Sequence, residues 1–285
     1  MADTLSQVTR TDKKDTPKNN VMLSYKSIHL DSTASSACTV LLLHAFPLSS
    51  EMWASQLSAL ETGGIPAIAP DVFGVEGSSQ KKSWNFRDYI EEISSLLSML
   101  HIERVTVVGL SMGGYQAFEL WQMFPEKVSS MVLCDTRAEQ DNEDALANRR
   151  DFIAAVRTHG PDEAVSRMLS NVFSPETYTK KQDVVDLFKR IVTKQSGDTI
   201  AATMQAIASR ADSVESLATI TCPVTFIAGK DDKLTPPSVV ASMHRQIPGS
   251  TLHLIPEAGH FPNMEQPDRF NAHLLEHLRL IGSGA

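Results

Sequence analysis

The sequence predicts an α/β layer fold: a mainly parallel sheet flanked by helices, with a helical cap inserted into it. Three observations carry this reading. Short apolar runs alternate with amphipathic stretches from Leu23 to Cys134. Between Ala138 and Leu217 the strand pattern stops and only helical spacing remains. The alternation resumes at Val224 and continues to the last helix.

Leu23 to Leu30 roughly alternates and reads as a half-buried strand. Thr39 to Leu43 (TVLLL) is continuous and apolar, which suits a strand covered on both faces. Trp53, Leu57 and Leu60 recur at helical spacing, and Gly63-Gly64 ends that helix. Ile65 to Ala69 is another strand-sized run, followed by a turn-rich stretch from Gly74 to Lys82. Tyr89, Ile93, Leu96, Leu97 and Leu100 mark a helix. Val105 to Leu110 reads as a buried strand, Phe118 to Phe124 as part of a helix closed by Pro125, and Val128 to Cys134 as the next strand.

The strandless stretch holds about four helices by its three/four spacing. Their marks are Phe152-Ile153-Val156, Val165-Met168-Leu169, Val184-Leu187-Phe188-Ile191 and Ile200-Met204-Ile207. Gly160-Pro161, Ser174-Pro175 and Gly197 punctuate them. Val224 to Ala228 and Thr251 to Ile255 are strands, with helices near Ser238 to Gln246 and Asp268 to Ile281. The expected organisation is an arm over 1–20, a core of 21–136 and 218–285, and a cap over 137–217.

At 285 residues the chain is long enough to bury a full core. Its 26 Lys and Arg against 34 Asp and Glu give a formal charge of −8, which repels phosphate backbones. No nucleic-acid or membrane partner is expected, and the charge serves solubility. Cys38, Cys134 and Cys222 show no paired spacing, so reduced thiols in the cytoplasm are expected. The polar N-terminus has no apolar region of a secretory signal, and nowhere do about 18 apolar residues run together.

The strongest local signal is Gly109-Leu110-Ser111-Met112-Gly113, between a strand and a helix. A serine on such a sharp turn projects its hydroxyl beyond the sheet, and small residues at −2 and +2 let the turn close. The helix N-terminus offers a backbone N–H and a positive dipole end to a developing oxyanion. The bare pentapeptide recurs by chance; its strand-turn-helix setting carries the weight.

A hydroxyl nucleophile needs a base. Of nine histidines, His260 follows the last strand and precedes the final helix, at the sheet edge where α/β folds place ligands. His44 ends the TVLLL strand and reads as structural. His273-Leu274-Leu275-Glu276-His277 matches the HxxEH zinc pattern, but its third ligand would lie well downstream and the sequence stops at Ala285. The plain reading of that stretch is a solvated face of the last helix, and no metal is expected. The base in turn needs a carboxylate, for which Asp232, Asp231 and Asp135 all follow strands. The order Ser111, Asp232, His260 is nucleophile, acid, base.

These segments resemble the α/β-hydrolase fold family over nearly all the chain beyond the arm. LLLHAFPLSSEMW resembles its oxyanion-loop segment, PDVFGVEGSS its D-x-x-G-x-G-x-S turn, and VVGLSMGG its nucleophile elbow. AGKDDKLTPP resembles the acid segment, usually G-x-x-D-x-x-x-P, and EAGHFPNMEQPDRF the histidine segment. The family register places the acid three residues after the glycine, which selects Asp232. The resemblance also assigns the oxyanion hole to the backbone N–H groups of Phe46 and Met112. Ala45 departs from the usual glycine of the loop, and Glu76, inside the D-x-x-G-x-G turn, reads as a surface charge.

Within the family the serine separates this chain from the dehalogenases and epoxide hydrolases, which use aspartate there. Cys134-Asp135-Thr136 and the run Gly259 to Pro267 resemble carboxylesterases and 3-oxoadipate enol-lactonases. The resemblance implies hydrolysis of a small carboxylic ester or lactone through a serine acyl-enzyme, without a cofactor. C–C bond hydrolases and cofactor-free perhydrolases share these motifs, and a non-catalytic receptor on the same fold is the alternative of another class. Cap residues Met168, Phe173, Phe188 and Met204 are candidates to line the substrate pocket. Arg137 and Arg210 are candidates to meet a substrate carboxylate, against a plainer role in surface salt bridges.

Overall fold

The computed structural model describes residues 21–30 and 39–282. The arm expected over 1–20, and Cys38, lie outside the described residues. The first half alternates as β1 (Tyr25–Ile28), β2 (Thr39–Leu43), α1 (Ala54–Thr62), β3 (Ala67–Pro70), α2 (Phe86–Met99), β4 (Val105–Leu110), α3 (Met112–Met123) and β5 (Val128–Cys134). Six helices follow: α4 (Glu143–His159), α5 (Pro161–Met168), α6 (Pro175–Lys180), α7 (Gln182–Thr193), α8 (Gly197–Ala208) and α9 (Val214–Leu217). The chain closes with β6 (Val224–Gly229), α10 (Pro237–Gln246), β7 (Thr251–Ile255), α11 (Pro262–Glu265) and α12 (Pro267–Gly282).

The strands form one sheet in the order β1-β3-β2-β4-β5-β6-β7. Only β1 runs antiparallel, against β3. Strands β2, β3, β4 and β6 are buried along their whole length, because helices cover both faces of a parallel sheet. Buried hydroxyls find partners on neighbouring elements: those of Thr106 and Ser130 lie 2.9 Å apart across β4 and β5. Strand β7 is at the edge and only half-covered, so its residues alternate less cleanly.

From β2 the chain steps outward to β3, and from β4 it steps the other way to β5, β6 and β7. The loops leaving the C-terminal ends of neighbouring β2 and β4 therefore diverge, which opens a crevice at that point. His44 to Phe46 leave β2 there and Ser111 leaves β4. The strand order thus fixes where chemistry can sit before any side chain is considered.

The helical block contains six helices where the sequence spacing marks four. The two missed helices, α6 and α9, are six and four residues long. PETYTK offers only Tyr178 as an apolar mark, so α6 has no periodicity to read. Ser174 caps it through the Thr177 N–H, and Pro175 starts it. Within the block α4 packs on α5 and α8, and α5 packs on α7. Among the described residues no helix is long and apolar enough to cross a membrane.

Candidate active site

The turn after β4 is built by close approach. A Cβ on Gly109 would run into the Gly113 carbonyl, and one on Gly113 into the Leu43 carbonyl of β2. Glycine at both positions lets α3 start directly after the strand. Ser111 at the apex has φ 53° and ψ −111°, a conformation costly for a residue with a side chain. The turn is held by the Ser111 N–H donating to the Cys134 carbonyl at 2.8 Å and the Thr136 hydroxyl donating to the Ser111 carbonyl at 2.8 Å.

His260 Nε2 lies 2.8 Å from Ser111 Oγ, and His260 Nδ1 lies 2.8 Å from Asp232 Oδ2. The second Asp232 oxygen accepts the N–H groups of Leu234 at 2.8 Å and Thr235 at 3.1 Å. Burial pushes the Asp232 carboxyl up, but the facing His260 and these N–H donors outweigh it and leave the pKa below the ordinary aspartate value. Asp232 thus stays a carboxylate aimed at the imidazole. Asp231, its neighbour, is exposed, and its N–H donates to the Ala258 carbonyl. Asp135 is fully buried at the end of β5, where one oxygen accepts the Gly229 N–H at 2.8 Å. Neither takes the place of Asp232 beside His260.

A cavity of about 330 Å³ opens on Ser111 and His260. Phe46, Met112, Tyr115, Arg137, Arg149, Phe152, Met168, Met204 and Leu234 are among its walls. Met112 is the first residue of α3, so its N–H is one that a helix start leaves without an intrahelical acceptor. Ala45, in place of the family's glycine, is fully buried and is not among the positive-φ residues, so the loop takes a methyl group there without strain.

A family profile described as alpha/beta hydrolase fold matches residues 39–267.

The chain belongs to the alpha/beta hydrolase fold family.

A thermophilic esterase from Thermogutta terrifontis superposes on this alpha/beta hydrolase with a TM-score of 0.86 at 30% identity, covering 92% of this chain and 94% of that one. The 3-oxoadipate enol-lactonase 1 of Acinetobacter baylyi is 26% identical over 219 residues, 77% of this chain and 80% of its own length. A bromoperoxidase from Bacillus anthracis shares the fold with a TM-score of 0.77 at 22% identity, covering 91% of this chain.

Not every expected pocket residue of this alpha/beta hydrolase reaches the cavity. Met168 and Met204 line it. Phe173 and Phe188 do not: both are fully buried in an aromatic cluster with Phe261, at centroid distances of 5.6 to 5.8 Å. They hold the helical block against the loop of His260 rather than face a substrate. Phe152 of α4, marked in the sequence only as a helix residue, takes the wall position instead and packs edge-on against Phe46.

The two arginines also part. Arg210 makes a salt bridge, but with its side chain buried rather than on the surface. Its Nη2 donates to Asp141 Oδ1 at 2.8 Å, and its guanidinium lies 4.4 Å over the Tyr115 ring. Arg149 also pairs with Asp141. Burial raises the Asp141 carboxyl, but hydrogen bonds and charge from the two arginines bring it down to about 2. Arg137 faces the cavity, and its Nη2 donates to the Leu234 carbonyl at 2.8 Å.

The HxxEH pair is not formed. His277 is buried on the sheet-facing side of α12, not on a solvated face, with Nδ1 2.8 Å from the Thr225 hydroxyl and Nε2 3.1 Å from that of Ser130. One ligand-bearing residue of the pattern is therefore spent on the sheet. Glu265, which the sequence reading did not single out, is fully buried beside the His260 loop. Its local sign is its place in the run Gly259 to Pro267, where it is the acidic residue before Gln266-Pro267.

Proposed function

We propose that this chain hydrolyses a small carboxylic ester or lactone through an acyl-enzyme on Ser111. The observation that carries the reading is the unbroken hydrogen-bond chain Ser111–His260–Asp232, opening on one cavity. Ser111 Oγ attacks the substrate carbonyl while His260 Nε2 takes the hydroxyl proton. Asp232 holds the imidazole so that Nε2 faces the serine, and stabilises the imidazolium. The tetrahedral oxyanion is held by the backbone N–H groups of Phe46 and Met112, a donor each, worth about 3 kcal/mol apiece. His260 then passes its proton to the leaving alkoxide. Water repeats the sequence to release the acid.

We read α4 to α9 as a cap that roofs the site, because Arg149, Phe152, Met168 and Met204 of that block stand on the cavity wall. Met168, Met204 and Phe152 hold the apolar part of the substrate. Arg137 offers its charge to an anionic group, since its side chain donates to a neutral carbonyl. The similarity to an esterase and an enol-lactonase supports ester or lactone substrates over C–C bond cleavage or perhydrolysis. The sparse cysteines, of which Cys134 and Cys222 are free among the described residues, support a cytoplasmic setting.

The test is a panel of aryl esters and lactones against purified protein, with Ser111→Ala as control. Short acyl chains should turn over fastest, because a cavity of about 330 Å³ is at the small end for enclosed ligand sites. Turnover above about a tenth of wild type in Ser111→Ala would sink the serine mechanism. No turnover of any ester or lactone would favour the receptor reading.

A further inference from the structure

The HxxEH stretch loses His277 to the sheet, but its other two residues find a different partner. His273 and Glu276 sit three apart on α12, hence on one face of the helix. Helix α12 packs on β5, β6 and β7, and β7 is the edge strand that carries His253. The His253 and His273 rings stack with centroids 3.9 Å apart and planes 21° apart. One ligand atom from each of His253, His273 and Glu276 lies within 4.8 Å of the other two.

Hydrogen bonding does not explain this gathering. His273 Nδ1 is buried without a hydrogen-bond partner among the described residues. The Glu276 carboxylate is 3.7 Å away, beyond hydrogen-bond length. Stacked imidazoles at that distance cannot both carry a proton cheaply.

We propose that His253, His273 and Glu276 form a binding site for a late first-row divalent cation, with zinc the best match, that ties the last helix to the edge strand. Two imidazoles and one carboxylate are a borderline-soft donor set, suited to zinc and not to magnesium or calcium. In a tetrahedral site with bonds of about 2.1 Å the ligand atoms stand about 3.4 Å apart. Binding turns the two rings out of their stack so that an in-plane lone pair of each meets the ion, and the half-exposed Glu276 side chain turns to complete the set. The site lies apart from the Ser111 cavity, whose walls include none of the three residues. It is a clamp on the fold, and its occupancy leaves ester turnover alone.

The experiment titrates chelator-stripped full-length protein with zinc chloride by calorimetry, with thermal melts at rising zinc concentration. Wild type should bind one zinc with a micromolar Kd, and its Tm should climb with zinc. Glu276→Gln should weaken binding about tenfold, and His273→Ala should remove it. Both variants should keep wild-type turnover of a short aryl ester in zinc-free buffer, which separates loss of the site from loss of the fold. His159→Ala, an exposed histidine elsewhere, should bind as wild type does. No saturable binding, or binding that survives both His273→Ala and Glu276→Gln, would overturn the proposal.

Discussion

Glu265 grips the loop of His260 from both sides. One carboxylate oxygen accepts the N–H of Gly259 at 2.8 Å and that of Phe261 at 3.2 Å, the residues before and after the histidine. The other oxygen accepts the Ser174 N–H and the Thr177 hydroxyl, each at 2.8 Å. A single buried carboxylate thus fixes the histidine loop against the helical block, and the His260 N–H adds a bond to the Val172 carbonyl at 2.8 Å.

Replacing Glu265 by alanine leaves those four donors buried without an acceptor, at about 1–3 kcal/mol each before relaxation. The imidazole then loses its fixed approach to Ser111. Glu265→Ala should lower kcat by about 10²-fold with KM little changed, and should lower Tm. Steady-state kinetics beside a thermal melt check this; unchanged kcat in a folded variant would show that the grip does not position the base.

Asp232→Asn keeps the side-chain shape but offers an amide N–H to the imidazole, favouring the wrong tautomer. By analogy with other triad enzymes turnover should fall roughly 10⁴-fold. Asp135→Asn should cost far less, because its amide oxygen can still accept the Gly229 N–H. Kinetics of both variants on one aryl ester decide the matter, and a larger loss for Asp135→Asn would move the acid to the end of β5.

Arg137 and Arg210 should separate in the same way they do in space. Arg137→Ala should cut kcat/KM for an ester bearing a carboxylate by about tenfold or more and leave a neutral ester of equal size unchanged. Arg210→Ala removes one partner of a buried ion pair and should destabilise the fold by about 3 kcal/mol, read in urea unfolding. Equal loss on both esters in Arg137→Ala would remove it from substrate recognition.

Burial lowers the His277 pKa to about 4, against 6.5 for the free side chain. As pH falls below 6.5 the unfolded chain takes up this proton first, so the folded state loses stability until the pH passes 4. Between pH 7 and pH 5 the loss from this residue alone is about 2 kcal/mol. His277→Gln should therefore gain on wild type by about that amount over the same range, in urea melts at each pH. A stability difference that stays constant with pH would contradict a neutral, buried His277.

The legible parts of the molecule were those with a local signature. Strands β2, β4 and β6 announced themselves as continuous apolar runs because both their faces are covered. Ser111 and His260 stood on turns that local residues define. The pairing Asp232 against Asp231 needed the family register, since adjacent aspartates look alike in sequence. Phe173 and Phe188 read as pocket candidates because an apolar side chain in the helical block is marked as inward without its sequence saying whether it meets a cavity or another ring. The burial of Glu265 and His277 is illegible for the opposite reason: a charged or imidazole side chain reads as surface until its buried partners are placed.

The most direct measurement of the central claim is mass spectrometry of the protein quenched in acid during turnover of an aryl butyrate. The account predicts one added butyryl group, mapped to the peptide carrying Ser111, and its loss in Ser111→Ala. A butyryl group on another residue, or rapid turnover with no covalent species and full activity in Ser111→Ala, would contradict it.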